Sequence, residues 1–316
     1  MPELQKKPLC QSQSGSMVRR LKRSISVFVV AYVAICAYFR TTQVEKIFLP
    51  RSDIPSSPAR MGMAHEDVRI PLSEGGADTD EQLYAFWVPA DNADAPVILY
   101  LHGQDATRGK NLEHTESFHE CGCHVLVVDY RGFAESYGIE APSESKVYED
   151  AVAALNYLRN QYPSNPIFIY GHSLGGAVAI ELATRDEAEG AAGLIVESTF
   201  TSILDMSALQ YSGFLQLLPI DLLLTERFDS LSKMDSIRCP VCLIHGKEDT
   251  RVPCRMSQEL YERAGESATI HLVDGANHED CCLIGKAEYR KQIREFVSNC
   301  LNRTAQDILP VESGAP

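Results

Sequence analysis

Short apolar segments alternate with longer stretches of helical periodicity along most of the chain. Apolar runs of four to six residues predict eight strands, at 67–72, 83–88, 97–101, 124–129, 167–170, 193–197, 241–245 and 269–273. Helical periodicity predicts helices at 143–161, 174–185, 254–264 and 286–300. Strands that alternate with helices form parallel sheets covered on both faces. The pattern therefore predicts an α/β fold with a mostly parallel eight-stranded sheet, whose first two strands form an antiparallel edge.

Residues 200–234 interrupt this alternation. The segment is rich in large apolar residues and lies between two predicted strands. One interpretation is a short cap that covers a binding pocket. The other is a crossover helix that packs on the sheet, and the pattern leaves both open.

The amino terminus carries a basic tail, residues 1–23, followed by an apolar segment at 24–40. Its charge-free part, Ile25–Phe39, rises about 22 Å as a helix, against ~30 Å for the hydrocarbon core of a bilayer. Long basic side chains that extend to the headgroups close part of this gap. We interpret 24–40 as a transmembrane anchor and 41–64 as a linker; a cleaved signal peptide and an organelle transit peptide are the alternatives.

Charge around the apolar segment predicts its orientation. Six basic residues precede the segment and three follow it, namely Lys6, Lys7, Arg19, Arg20, Lys22 and Arg23 before it, and Arg40, Lys46 and Arg51 after it. Basic residues favour the cytoplasmic side. We therefore expect a single-pass membrane protein with its main domain on the non-cytoplasmic side. The glycosylation acceptor pattern at Asn302-Arg303-Thr304 suits this placement.

Charge and cysteine content limit the partners. Residues 1–51 hold nine basic and two acidic residues, a charge of +7, whereas the remaining 20 basic and 41 acidic residues give −21. An acidic domain argues against nucleic-acid binding, which needs clustered Lys and Arg. The ten cysteines show no paired Cys/His spacing of the zinc type, so we expect no metal and no other cofactor. Disulfides are possible if the domain is extracytoplasmic.

The sequence Gly-His-Ser-Leu-Gly at residues 171–175 is the strongest chemical signal. It follows an apolar strand at 166–170 and precedes a helix of small residues at 176–183. A serine between two glycines at a strand-to-helix turn is typical of a nucleophile elbow, which exposes the hydroxyl above the sheet edge. The alternative is a glycine-rich helix start with a capping serine. We favour Ser173 as a nucleophile.

A serine hydroxyl needs a base to take its proton and an acid to orient that base. Asp249 lies in a loop after the predicted strand 241–244, where open α/β sheets place their sites. Its neighbour Glu248 is the weaker alternative. His278 lies in a glycine-containing loop after strand 269–273 and is the candidate base.

The other histidines have plainer interpretations. Four precede the nucleophile and are interpreted as surface or packing residues: His65, His114, His119 and His124. His172 lies in the elbow and is expected to fill space beneath the turn. His245 and His271 lie in or at the end of strands, where a buried, hydrogen-bonded histidine is more common than a catalytic one.

Two backbone N–H groups are expected to form an oxyanion hole. One belongs to Leu174, directly after the candidate nucleophile. The second comes from the loop after an earlier strand, Pro96–Leu101, and we assign it to Gln104.

Four segments in order resemble the α/β-hydrolase superfamily: Leu101-His102-Gly103, Asp129-Tyr130-Arg131-Gly132, the Gly171–Gly176 elbow, and His245-Gly246 with Asp249 and Val252-Pro253, followed by His278. The chain is most similar to a membrane-anchored branch that includes monoacylglycerol and lysophospholipid lipases, with domains called serine-aminopeptidase-like. The resemblance implies the α/β-hydrolase fold over most of the chain. We therefore expect a hydrolase domain at 65–301, with the possible cap at about 200–234, and a flexible tail at 302–316.

At two places the chain departs from this family. Residues 104–107 read Gln-Asp-Ala-Thr where relatives often carry Asn and a second Gly, and Ala134 replaces a usual Gly. Neither departure removes a catalytic group.

The resemblance implies a serine hydrolase that cleaves carboxylic esters, with acyl lipids as the expected substrate class. Ser173, Asp249 and His278 would form the triad, and Gln104 and Leu174 the oxyanion hole. The same triad serves amide, peptide and protein-thioester hydrolysis, including depalmitoylation. A non-catalytic binding protein on this fold is the remaining alternative, which the intact triad argues against.

Overall fold

The computed structural model describes residues 12–72, 81–136, 140–210 and 218–308. Its strands are β1 (Glu66–Pro71), β2 (Gln82–Val88), β3 (Val97–Leu101), β4 (His124–Val128), β5 (Ile167–His172), β6 (Gly193–Glu197), β7 (Val241–Gly246) and β8 (Ala268–Val273). Its helices are α1 (Ser12–Phe48), α2 (Leu112–Glu120), α3 (Glu144–Gln161), α4 (Leu174–Thr184), α5 (Ile203–Gln210), α6 (Ile220–Leu223), α7 (Arg255–Ala264) and α8 (Cys281–Ile308). Parts of three predicted segments, at 1–11, 211–217 and 309–316, lie outside the described residues.

The eight strands form one sheet in the order β1-β2-β4-β3-β5-β6-β7-β8. β2 pairs antiparallel with both β1 and β4, and the other neighbours are parallel. The predicted α/β fold, with its eight-stranded sheet and antiparallel edge, is confirmed. Consecutive parallel strands end at the same edge, so β3, β5 and β7 bring their following loops together.

Buried apolar residues cover both faces of the sheet. On one face, α3, α4 and α7 contribute to a large cluster that includes Leu155, Val178 and Leu260. On the other, α2 and α8 pack through Phe118 and Ile293. The sheet edge that carries the loops is therefore held from both sides.

Helix α2 was not predicted. Its sequence, Leu-Glu-His-Thr-Glu-Ser-Phe-His-Glu, turns His114, Thr115 and Ser117 into the core along with Leu112 and Phe118. Because polar residues occupy part of the buried face, the apolar periodicity that identifies an amphipathic helix is absent.

Helix α1 continues past the apolar segment. Residues 41–48, which the sequence assigned to a linker, are helical, and Phe48 is fully buried with its ring 5.8 Å from that of Phe228. Val44, Ile47 and Phe48 lie on one side of the helix and pack on the domain. The helix therefore ends inside the core of the domain.

The carboxyl-terminal helix is also longer than expected. α8 begins at Cys281 and is broken at Lys286, where φ is 44°, so the predicted helix start coincides with this kink. It continues to Ile308, so the first part of the predicted flexible tail is helical.

Candidate active site

Ser173 lies in the turn between β5 and α4 with φ 54° and ψ −118°, a strained conformation for a residue with a side chain. An added Cβ on Gly171 would lie 2.1 Å from the carbonyl oxygen of Gly175, and one on Gly175 would lie 2.1 Å from that of Leu101. The strand and helix approach so closely that only glycine fits at both positions. This crowding pushes the serine side chain out over the sheet edge.

The loops after β7 and β8 bring two further side chains to the serine. His278 Nε2 lies 2.9 Å from Ser173 Oγ, and His278 Nδ1 lies 2.7 Å from Asp249 Oδ2. The ionised carboxylate accepts a hydrogen, so Nδ1 donates and Nε2 is left to accept the hydrogen of the hydroxyl. The three predicted residues are thus connected in the order that base catalysis needs. The alternative acid, Glu248, is exposed.

The Asp249 carboxylate is held by hydrogen bonds on both oxygens. Oδ1 accepts from the backbone N–H groups of Arg251 and Val252 at 2.8 and 2.9 Å. Oδ2 accepts from the rings of His245 and His278. Burial raises the pKa of this carboxyl, but the hydrogen bonds from the two histidines lower the pKa more, to well below its usual range. Asp249 therefore stays ionised beside His278.

His245 holds the Asp249 carboxylate, a role that the sequence did not indicate. It is buried, as expected, but its Nε2–H is shared between Asp249 Oδ2 at 3.1 Å and the carbonyl oxygen of Val252 at 2.9 Å. Its Nδ1 accepts from the Ser257 hydroxyl at 2.6 Å. The ring fixes the rotamer of Asp249, and its position four residues before the acid is the sequence signal that could have identified it.

His172 fills the space behind the elbow, as its position indicated, and also supports the base. Its Nε2–H donates to the backbone carbonyl of His278 at 2.9 Å. Burial lowers the pKa of His172 to about 3, so the ring is neutral.

A buried charged pair lies beneath the elbow. His114 Nε2 donates to Glu197 Oε1 at 2.9 Å, while the hydroxyls of Tyr170 and Tyr289 donate to Oε2 at 3.1 and 2.7 Å. The backbone carbonyl of Glu197 accepts the N–H of Ser173 at 2.9 Å. Glu197 therefore contacts the turn that carries Ser173. The sequence analysis interpreted His114 as a surface or packing residue and did not identify its pairing with Glu197.

This cluster also has the residue types of a metal site. One ligand atom from each of His114, His172 and Glu197 lies within 4.8 Å of the others. Both oxygens of Glu197 already accept hydrogen bonds, and Nε2 of His172 faces a carbonyl. We therefore interpret the cluster as a hydrogen-bond network.

The predicted oxyanion donors flank the serine. Leu174 begins α4, and a Cβ added to Gly103 would lie 3.4 Å from the Ser173 Cβ, so the loop after β3 runs directly beside Ser173. Gln104 follows in this loop and lines the same cavity as Ser173.

A buried arginine fixes this loop and was not foreseen. The Arg108 N–H donates to Asp129 Oδ1 at 2.5 Å, and its guanidinium pairs with Asp129 and with Glu135. Burial raises the pKa of Asp129 to about 6 although the adjacent guanidinium opposes this. Asp129 is the first residue of the motif that follows β4. Its contact with Arg108 gives this residue a structural role, since it holds the loop after β3.

A cavity of about 600 Å³ opens above Ser173 and His278. Residues of the predicted cap line it, including Phe200, Met206 and Leu223. The volume lies in the range of small-molecule sites. Of the two interpretations of residues 200–234, the described part favours a cap over the site.

Comparisons with known proteins agree with this fold. The family described as serine aminopeptidase, S33, matches residues 92–230. An uncharacterised protein of Mycobacterium tuberculosis is 30% identical over 88% of this chain and 97% of its own length. The lysophosphatidylserine lipase ABHD12 of Danio rerio is 29% identical over 81% of this chain and 76% of its own.

Among solved structures, the Pyrococcus furiosus esterase Pf2001 superposes with a TM-score of 0.64 and 22% identity, covering 79% of this chain and 96% of that one. At this identity the likeness shows the fold alone. The sequence relatives, together with this shared fold, establish that the chain belongs to the α/β-hydrolase superfamily, as its motifs predicted.

Proposed function

We propose that the protein is a membrane-anchored serine hydrolase that cleaves carboxylic esters of acyl lipids. The hydrogen-bonded series Ser173–His278–Asp249 carries the proposal, at 2.9 and 2.7 Å. The apolar side chains that the cap contributes to the cavity above it, Phe200, Met206 and Leu223, support an acyl group as the part of the substrate that is bound. The relative named as a lysophosphatidylserine lipase agrees with ester chemistry.

In the proposed reaction, His278 takes the Ser173 proton as the serine oxygen attacks the ester carbonyl carbon. The N–H groups of Gln104 and Leu174 stabilise the oxyanion of the tetrahedral intermediate. The imidazolium returns the proton to the departing alcohol, which leaves an acyl-enzyme. His278 then deprotonates a water molecule that attacks the acyl-enzyme, and the proton returns to Ser173 as the carboxylic acid departs.

Ser173→Ala tests the nucleophile. The variant is expected to lose both hydrolysis of p-nitrophenyl esters and labelling by a fluorophosphonate probe, since both require the serine oxygen. Its thermal unfolding should remain close to that of the wild type, because the methyl side chain fits the turn. Retained labelling of the variant would rule out the assignment.

Substrate comparison distinguishes the ester proposal from the amide, peptide and thioester alternatives. Monoacylglycerol, lysophospholipid, acyl-cysteine and aminoacyl-amide substrates are compared at equal concentration with the purified full chain. The proposal expects kcat/KM to be highest for one of the lipid esters. Highest kcat/KM for a peptide amide or an acyl-cysteine would contradict it.

The membrane part of the proposal depends on α1. An 18-residue window of this helix has mean hydropathy 1.7 and none of it is buried in the domain. Ile47 and Phe48, at its end, lie in the domain core. Helix α1 runs without a break from the apolar segment to these core residues, which supports an uncleaved anchor over the signal-peptide alternative.

A further inference from the structure

The last turns of α1 form one wall of the active-site cavity. Phe39, Gln43 and Ile47 line the same cavity as Ser173 and His278. A helix that served only as a tether would need no contact with the site. The cavity therefore extends from the reactive serine to the helix that enters the proposed membrane.

Hydrogen bonds from a buried glutamine join α1 to the cap. Gln43 is 6% exposed; its Nε2 donates to the Leu223 carbonyl at 3.2 Å, and its Oε1 accepts from the N–H of Thr225 at 2.8 Å. Arg40, one turn earlier, reaches the same Leu223 carbonyl. The helix and the cap are thus fixed to each other at the edge of the cavity.

The cap exposes two large apolar side chains next to polar ones such as Asp221. Leu222 of α6 is 77% exposed and Leu209 of α5 is 46% exposed. The residues of α1 just before this contact are also exposed and apolar, for example Val33 at 59%. Such apolar side chains are favourable in the apolar region of a bilayer and unfavourable in water.

Cations lie where the helix leaves this apolar region. Arg40 is exposed, and Lys46 Nζ lies 4.9 and 4.8 Å from the ring centres of Tyr38 and Phe39. Aromatic and basic side chains mark the membrane–water interface. This places the cavity at the level of the lipid headgroups.

We propose that the acyl chain of a membrane lipid reaches Ser173 laterally from the bilayer, between α1 and the cap, and that Phe39, Gln43 and Ile47 form part of its binding site. The inference rests on the proposed hydrolase function and adds a route and a substrate class, an acyl lipid resident in the bilayer. The apolar chain then remains out of water from the membrane to the cavity.

Phe39→Trp in the full chain, reconstituted in phosphatidylcholine vesicles, tests the route by narrowing it. The measured quantity is the ratio of kcat/KM for p-nitrophenyl dodecanoate in the vesicles to kcat/KM for water-soluble p-nitrophenyl acetate. A bulky ring is expected to lower this ratio at least about tenfold, equivalent to about 1.4 kcal/mol. Phe28→Trp, on an exposed part of the same helix, should leave both activities unchanged. An unchanged ratio in Phe39→Trp would overturn the inference.

A second measurement does not depend on catalysis. The Ser173→Ala chain is irradiated in vesicles that contain a lysophospholipid with a diazirine at the end of its acyl chain. The inference expects cross-links at Phe39, Ile47 and helix α5. Cross-links restricted to residues 17–38 would overturn it, whatever the activity of the wild type. Failure of the hydrolase proposal would instead appear as wild-type protein that hydrolyses neither ester.

Discussion

At the level of single residues, the chemistry depends on contacts between positions far apart in the chain. The contact among Ser173, His278 and Asp249 could be predicted because each residue lies in a short motif after a predicted strand. The side chains that hold them could not. Glu197 and His114 are 83 residues apart, and only the fold brings them together under the elbow.

Ala134, one of the two departures from the family pattern, lies in a strained backbone conformation. Its φ is 47°, in the left-handed region that favours glycine. Its N–H donates to the carbonyl of Arg51 at 2.8 Å, which fixes the strained turn.

Glu197→Gln is expected to lower the free energy of unfolding by about 3–5 kcal/mol at pH 6, because it leaves a buried histidine without its charged partner. Burial opposes ionisation of Glu197, but the charge of His114 lowers its pKa from 4.5 to about 2. The stability that ionised Glu197 contributes is therefore present above pH 4.5 and is lost as the pH falls toward 2.

Burial opposes protonation of His114, but the charge of Glu197 raises its pKa well above 6.5, so its contribution is complete below pH 6.5. The difference between wild type and variant should therefore shrink between pH 4.5 and pH 3 in urea titrations. Glu248→Gln, at an exposed acid, is the control and should show no such difference. A difference independent of pH would contradict the ion pair.

At the level of elements, apolar runs predicted the strands well because both faces of this sheet are covered. Helix α2 was not predicted because polar residues occupy part of its buried face, which removes the apolar periodicity of an amphipathic helix. The end of α1 was not predicted because residues 41–48 mix charged and apolar positions. Their burial depends on a cap that lies about 180 positions later in the chain, as in the Gln43–Thr225 hydrogen bond. Helix propensity and local pattern do not encode such contacts.

Phe48→Ala should lower the free energy of unfolding of the domain by about 3–5 kcal/mol, because it removes a fully buried ring from the core. Phe28→Ala removes the same ring from a position that is 62% exposed, and its effect should stay within about 0.5 kcal/mol. Urea titration in detergent micelles measures both. Equal effects would indicate that the end of α1 is not part of the domain core.

At the level of the whole molecule, charge is divided between a basic amino-terminal segment and an acidic domain. With six basic residues before the apolar segment and three after it, the amino terminus is expected inside and the hydrolase domain on the other side of the membrane. This charge asymmetry is visible in the sequence alone, whereas the contact between α1 and the cavity above Ser173 required the structure.

Protease treatment of sealed microsomes tests this arrangement. An epitope tag at the amino terminus should be removed without detergent, because it faces the medium. The hydrolase domain should resist digestion until detergent opens the vesicles. Digestion of the domain in sealed vesicles would contradict the orientation.

Helix α1 runs from Ser12 to Phe48 and ends within the domain core, and a polar side chain also bonds it to the cap. A helix continuous with a folded body transmits its tilt to that body. In the proposed membrane-anchored hydrolase, the thickness of the surrounding bilayer would therefore set the height of Ser173 above the acyl chains. The composition of the membrane would then determine how readily each lipid reaches the proposed site.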